Sequence, residues 1–127
     1  MIYDNYSMKN LLKVFLGLFI GSSANAMSER YEASMNFDME NVSAFLQELN
    51  TKFELSINVE ELTKFTSSTP VEAEKSIVID LSNGEKMEFK VFMDDVDAPD
   101  IYMFFERQEI ADKVDKFMLE WAESKGM

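Results

Sequence analysis

Two residue types that build many catalytic and metal sites are missing from this chain. It has no histidine and no cysteine among its 127 residues. Without imidazole or thiolate ligands we expect no structural zinc site, and Ser-His-Asp and Cys-His catalytic centres are excluded. Disulfide bonds are excluded as well, so packing alone must hold the fold. The Ser-x-x-Lys pattern of a histidine-free serine nucleophile is also missing after residue 26.

Basic residues are scarce relative to acidic ones. The chain has 24 acidic and 12 basic residues, which gives a net charge of -12. Such a charge argues against binding to nucleic acid or to an anionic lipid surface. If the protein has a macromolecular partner, a basic protein is favoured on electrostatic grounds.

Carboxylates are plentiful enough to raise the possibility of acid–base catalysis, as in glycosidases. Such an enzyme needs one carboxyl group whose pKa is raised by an apolar setting. Glu106, at the end of an apolar segment, is the nearest candidate, and no carboxylate pair is marked in this way. We therefore predict no catalytic residue and expect that the protein is not an enzyme.

Residues 1–26 have the three-part pattern of a secretory signal peptide. A short basic segment, Met8 to Lys13, precedes an apolar run from Val14 to Ile20, and Ala24-Asn25-Ala26 offers small residues to a signal peptidase. Asp4 places a negative charge where a positive one is wanted, so we expect translation to start at Met8. The alternative is a buried N-terminal helix in a cytoplasmic protein.

The signal-peptide interpretation fixes the expected domain organisation and compartment. The apolar run is too short for a stable membrane anchor, and no cysteine follows for lipid attachment. We predict a cleavable signal peptide over 1–26 with cleavage near Ala26, followed by a single domain over 27–127 that is periplasmic or secreted. The mature chain would have no membrane span.

Hydrophobic periodicity predicts an α+β fold. The predicted elements are, in order, a strand (31–39), a helix (41–53), a short strand (54–58), a short helix (59–65), three strands within 76–106 and a helix (108–125). Three consecutive strands with short links imply an antiparallel meander over 76–106. We therefore expect an antiparallel sheet of about 4–5 strands, with helices 41–53 and 108–125 packed on one face.

The first turn of the meander can be predicted in detail. A three-residue loop, Ser82-Asn83-Gly84, pairs Ile79 with Met87 and Ile77 with Phe89 and so keeps both apolar rows on one face. A two-residue loop would pair these isoleucines with charged residues. Gly84 would then take a left-handed conformation.

The most unusual stretch places four aspartates in seven positions: Asp94, Asp95, Asp97 and Asp100. A helix-loop-helix calcium site beginning at Asp95 would need a ligand at its fifth position and glycine at its sixth, where the chain has Pro99 and Asp100. Three interpretations stay open: a wide solvated loop, an irregular calcium site, and a docking surface for a basic partner.

Three aromatic residues border this acidic stretch. Phe92, Tyr102 and Phe104 alternate with the predicted core row and so belong to the other face of the sheet. That face would be exposed unless the segment 53–65 covers it. The ten methionines raise the possibility of a copper(I) site with thioether ligands. They fall largely on predicted apolar rows, however, where filling of the core explains them. We predict no metal and no cofactor.

These features together favour binding over catalysis. We expect an exported periplasmic binding protein, inhibitor- or immunity-like, that contacts a basic protein such as a cell-wall-acting enzyme or a toxin. The candidate contact residues are Asp94, Asp95, Asp97, Asp100, Phe92, Tyr102 and Phe104. The alternatives are a small-ligand or calcium-binding module and a structural homo-oligomer.

Overall fold

Four strands and three helices make up the domain in a computed structural model, which describes Met27 and residues 29–126. The elements are β1 (Tyr31–Asn36), a short 3-10 helix (Met39–Asn41), α1 (Val42–Phe53), α2 (Val59–Ser67), β2 (Glu74–Asp80), β3 (Lys86–Asp95), β4 (Ala98–Phe105) and α3 (Gln108–Ser124). The strands form one antiparallel sheet in the order β1-β4-β3-β2. The predicted α+β fold is confirmed, and the predicted signal peptide lies outside the described residues.

The hairpin between β2 and β3 has the predicted register. Ile79 pairs with Met87, and Ile77 pairs with Phe89. Gly84 has a φ of 87° and donates its N–H to the carbonyl of Leu81 at 3.0 Å. This positive φ closes the three-residue turn at a position that glycine adopts without steric cost.

The predicted short strand over 54–58 does not form. Glu54 and Ser56 both have positive φ values, 53° and 61°, which interrupt an extended backbone. Leu55 and Ile57 are nevertheless buried. Their backbone is held from outside the sheet, because Ser82 N donates to Leu55 O at 3.1 Å and Ile57 N donates to the Asn50 side chain at 3.0 Å. The sheet therefore has four strands.

The core is a single layer between one face of the sheet and the three helices. The buried strand residues that line it are Ala33, Met87, Phe89, Val91, Ile101, Met103 and Phe105. Phe45 of α1 packs against Phe37 at 4.6 Å and against Trp121 of α3 at 5.4 Å between ring centroids. Full burial of such a side chain stabilises the fold by roughly 1.5–3 kcal/mol.

Helix α2 packs on the same side as α1 and α3. Its Phe65 ring lies 6.1 Å from the ring of Phe89, and Leu62 is buried in the core. The predicted cap is present, because Asn58 Oδ1 accepts the N–H of Glu61 at 2.9 Å. The possibility that the segment 53–65 covers the second face of the sheet is therefore wrong. Among the described helices, none is both long and apolar enough to cross a membrane.

Candidate binding face of the sheet

The acidic stretch forms a tight hairpin. Strand β3 continues to Asp95 and β4 begins at Ala98, so these two residues pair and only Val96 and Asp97 lie between them. The interpretation as a wide solvated loop is wrong, since most of the stretch is strand. A two-residue connection of this kind holds the strand ends in a fixed register.

A β-bulge lies just before the turn. Phe92 pairs with Asp100 and Asp95 pairs with Ala98, so β3 has one extra residue opposite Pro99. Proline has no N–H for the strand ladder, and bulges accommodate it. The Pro99 carbonyl still accepts the N–H of Phe37 at 3.0 Å. The bulge explains how a proline fits between two strands of the sheet.

The hairpin is anchored to the end of β1 and to the segment that follows it. Met39 N donates to the carbonyl of Asp97 at 2.8 Å, and Asn36 Nδ2 donates to the Asp100 carboxylate at 2.8 Å. The carboxylates of Asp94, Asp95 and Asp97 remain exposed at the tip, and Asp100 is half-buried. The four aspartates are therefore held at one end of the sheet on a supported backbone.

Three predicted aromatic residues share the sheet face opposite the helices, which we call the open face. Phe92 and Asp100 are direct cross-strand neighbours, and Tyr102 and Phe104 follow on β4 at period two. The rings of Tyr102 and Phe104 lie parallel within 5°, with centroids 6.4 Å apart. All three aromatic side chains are half-buried. The structure thus places Phe92, Tyr102, Phe104 and Asp100 on one surface, with the other three aspartates at its end.

Two cationic side chains lie over the rings of Tyr102 and Phe104, which we call the aromatic pair. The Arg30 guanidinium is 4.1 Å from the ring centroid of Phe104 and pairs with Glu88 at 2.7 Å. Lys90 Nζ lies 5.5 Å from the ring centroid of Tyr102 and pairs with Glu74 at 3.3 Å. Sequence reasoning missed these residues. The position of Lys90 depends on the pairing of β3 with β4 across the bulge, and that of Arg30 on the pairing of β1 with β4.

The phenol of Tyr102 reports the electrostatics of the open face. Partial burial raises the pKa of Tyr102, and the nearby carboxylates of Asp100, Glu32 and Glu74 raise it further. Each of these carboxylates disfavours a second negative charge at the phenol oxygen. Carboxylates from three strands therefore lie near the Tyr102 phenol.

Two other possibilities raised by the sequence were a catalytic role for Glu106 and a metal site at the aspartates. Glu106 accepts the N–H of Lys86 through Oε1 at 2.9 Å, so this carboxylate helps to hold the start of β3. Over residues 29–126, no three side chains of the metal-ligating types come together as a possible metal site. The aspartates are therefore neighbours along the chain without converging on one point.

Two depressions formed by described residues lie away from the predicted contact residues. A depression of about 460 Å³ is lined by α1 residues and by Phe117 of α3, on the helical side of the sheet. A second, of about 500 Å³, lies between α1 and α2. The candidate site is consequently a surface on the sheet and not a cleft, which suits contact with another macromolecule better than enclosure of a small ligand.

A comparison of the chain with protein-family models, with curated proteins and with solved structures found no match. The open face itself indicates what the domain can bind. Its aromatic row supplies apolar contact area, and its carboxylates supply charge. Such a surface can bind a cationic partner.

Proposed function

We propose that this protein is an exported, inhibitor- or immunity-like binding protein that holds a basic protein partner on the open face of its sheet. One observation carries the proposal: three half-buried aromatic side chains lie in a row among carboxylates on a face that the helices do not cover. Aromatic residues on such a surface are typical anchors of protein interfaces.

Charge supports a basic partner over a neutral one. Carboxylates on the open face outnumber the three cations there, Arg30, Lys86 and Lys90, and the exposed aspartates at the hairpin tip add to the excess. A surface of one sign steers an oppositely charged partner and raises its association rate.

Rigidity supports binding by a preformed surface. Tyr102 and Phe104 lie on β4, which is paired on both sides, and the Asn36 side chain fixes Asp100 from β1. Residues held by two neighbouring strands lose little conformational freedom when a partner binds. An inhibitor benefits from such preorganisation.

Export is tested separately from binding. The chain carries the signal-peptide pattern over 1–26, so protein recovered from the extracytoplasmic compartment should begin at or near Met27. N-terminal sequencing of that material is the measurement. A mature chain that begins elsewhere, or protein retained in the cytoplasm, removes export from the proposal.

The partner face is tested by photo-crosslinking in cells that make the protein. A photoreactive amino acid at Ser76, exposed on β2 and paired with Lys90, should give one discrete adduct. The same amino acid at Lys113, exposed on α3, is the matched control and should give none. In a second experiment the cells are lysed before illumination. A high salt concentration in the lysate should then prevent formation of the adduct, because salt screens contacts between exposed charges.

The crosslinking result can also contradict the proposal. Equal adducts at both positions, no adduct at Ser76, or an adduct that salt does not reduce each argues against an electrostatic partner on the open face. An adduct with the mass of two copies of this chain would favour the homo-oligomer instead.

A further inference from the structure

The open face repeats one arrangement of side chains. In each case an aromatic residue lies directly between two carboxylate residues on the adjacent strands, and residues directly opposed in antiparallel strands share a face. The first seat, as we call it, consists of Glu32, Phe104 and Glu88 on β1, β4 and β3. The second seat consists of Asp100, Phe92 and Glu74 on β4, β3 and β2.

The first seat is occupied by a guanidinium of the same chain. Arg30 places its guanidinium carbon 4.1 Å from the Phe104 centroid and its Nη2 2.7 Å from Glu88 Oε1. The Glu88 side chain is only 17% exposed, so this ion pair is partly shielded from water. A planar guanidinium can stack on a ring and hydrogen-bond a carboxylate at the same time, which an ammonium does less well.

The second seat has the same parts and no guanidinium. Within the described residues, no cation lies over the ring of Phe92. Asp100 accepts from Asn36 through Oδ1, and Glu74 pairs with Lys90 through Oε2. A carboxylate offers about four acceptor positions, so both groups retain capacity for a further donor.

We propose that the second seat binds an arginine side chain of the basic partner, with the guanidinium over Phe92 and hydrogen-bonded to Asp100, and with Glu74 on its other side. This inference rests on the proposed function and names the chemistry of the partner at that surface. The exposed carboxylates of Asp94 and Asp95 lie at the same end of the sheet and favour the approach of a cation.

The test is a nuclear magnetic resonance titration of the purified protein with two peptides, acetyl-Gly-Arg-Gly-amide and acetyl-Gly-Lys-Gly-amide. The arginine peptide should shift the Phe92 ring signals and the amides of Asp100 and Glu74, and the lysine peptide should shift them several times less. Phe92→Leu keeps an apolar side chain and removes the ring, so binding should weaken roughly two- to fivefold.

Two further variants distinguish binding in the second seat from general attraction to a negatively charged protein. Asp100→Asn keeps an oxygen acceptor for Asn36 and should weaken arginine binding, whereas Asp112→Asn, which removes an exposed carboxylate from α3, should leave it unchanged. Arg30→Gln removes the guanidinium from the first seat, where Lys90 Nζ remains at 5.7 Å from the ring centroid, and should add a second set of shifts at Phe104.

Several results would overturn the arginine assignment. These are equal shifts with the lysine peptide, Phe92-site shifts that persist unchanged in Phe92→Leu, equal weakening by Asp100→Asn and Asp112→Asn, or no new shifts at Phe104 in Arg30→Gln. If these occur while the Ser76 crosslink remains salt-sensitive, the partner face stands and only the seat is wrong. If the crosslink fails while arginine binds at Phe92, the seat stands without the proposed function.

Discussion

Met103 and Phe104 are adjacent in β4 and point to opposite faces of the sheet, so replacing each by alanine measures what covers each face. Met103 is fully buried under the helices, and Phe104 is half-buried on the open face beneath Arg30. The two substitutions share strand, backbone environment and distance from the chain ends. Their difference in unfolding free energy therefore reflects coverage of the two faces.

The expected magnitudes differ. Met103→Ala removes a side chain with no exposed surface and should cost about 2–5 kcal/mol, including the cavity that remains. Phe104→Ala loses roughly half the burial energy of a phenylalanine, about 1 kcal/mol, and the contact with Arg30, worth about 0.5 kcal/mol at an exposed site. We therefore expect a total of about 1.5 kcal/mol for Phe104→Ala.

Urea unfolding measures both costs. Trp121 is the single tryptophan and is buried against Phe45, so its fluorescence follows loss of the core. With a denaturant slope of about 1.5 kcal/mol/M, a loss of about 3 kcal/mol lowers the midpoint by about 2 M, and a loss of about 1.5 kcal/mol lowers it by about 1 M.

Equal costs would refute the reasoning. If Phe104→Ala destabilises the protein as much as Met103→Ala at every protein concentration, another layer of the same chain covers the open face, and no partner can dock there. If the cost of Phe104→Ala grows with protein concentration, a second copy covers the face.

Three further predictions concern a turn, a cap and a titration. Gly84→Ala should cost about 1–2 kcal/mol in urea unfolding, because the φ of 87° is strained for alanine while its Cβ would meet no atom within 4 Å; Gly84→Asn should cost less. Asn58→Ala should cost about 1 kcal/mol by the loss of a helix cap, and Asn58→Asp should retain most of the stability. The raised pKa of Tyr102 means that its contribution to stability is present below pH 10.0 and is lost as the pH rises through the raised value. A magnetic resonance titration of the Tyr102 ring should show a midpoint above 10.0, raised first by burial and further by Asp100, that falls in Asp100→Asn; an unchanged midpoint in that variant would contradict the contribution of Asp100.

Much of the fold could be predicted from the sequence where local patterns agree with each other. Alternation on both sides of Ser82-Asn83-Gly84 leaves one register that keeps the apolar rows together, and that register is the observed one. The prediction of a strand over 54–58 was wrong because Leu55 and Ile57 alternate with polar residues as they would in a strand. Two buried residues do not distinguish a strand from an irregular segment whose backbone bonds go elsewhere.

The candidate site could be predicted only in part. The alternation of side chains between the two faces of a strand was sufficient to place Phe92, Tyr102 and Phe104 on one face. The residues that flank them across strands could not be predicted, because Pro99 and four aspartates are typical of a loop and conceal the bulge that sets the register of β3 with β4. A one-residue error there would move every side chain of β4 to the other face.

The distribution of charge along the open face gives the proposed partner an orientation. Arg30 and Lys90 both lie over the rings of Tyr102 and Phe104, where Arg30 pairs with Glu88, while Lys90 also pairs with Glu74 beside Phe92. The Phe92 end has Asp100 beside it and the exposed aspartates of the hairpin tip beyond it, with no described cation over its ring. Negative potential therefore rises toward the hairpin. A basic partner would be drawn to that end first, and its apolar surface would then lie along the rings of Tyr102 and Phe104.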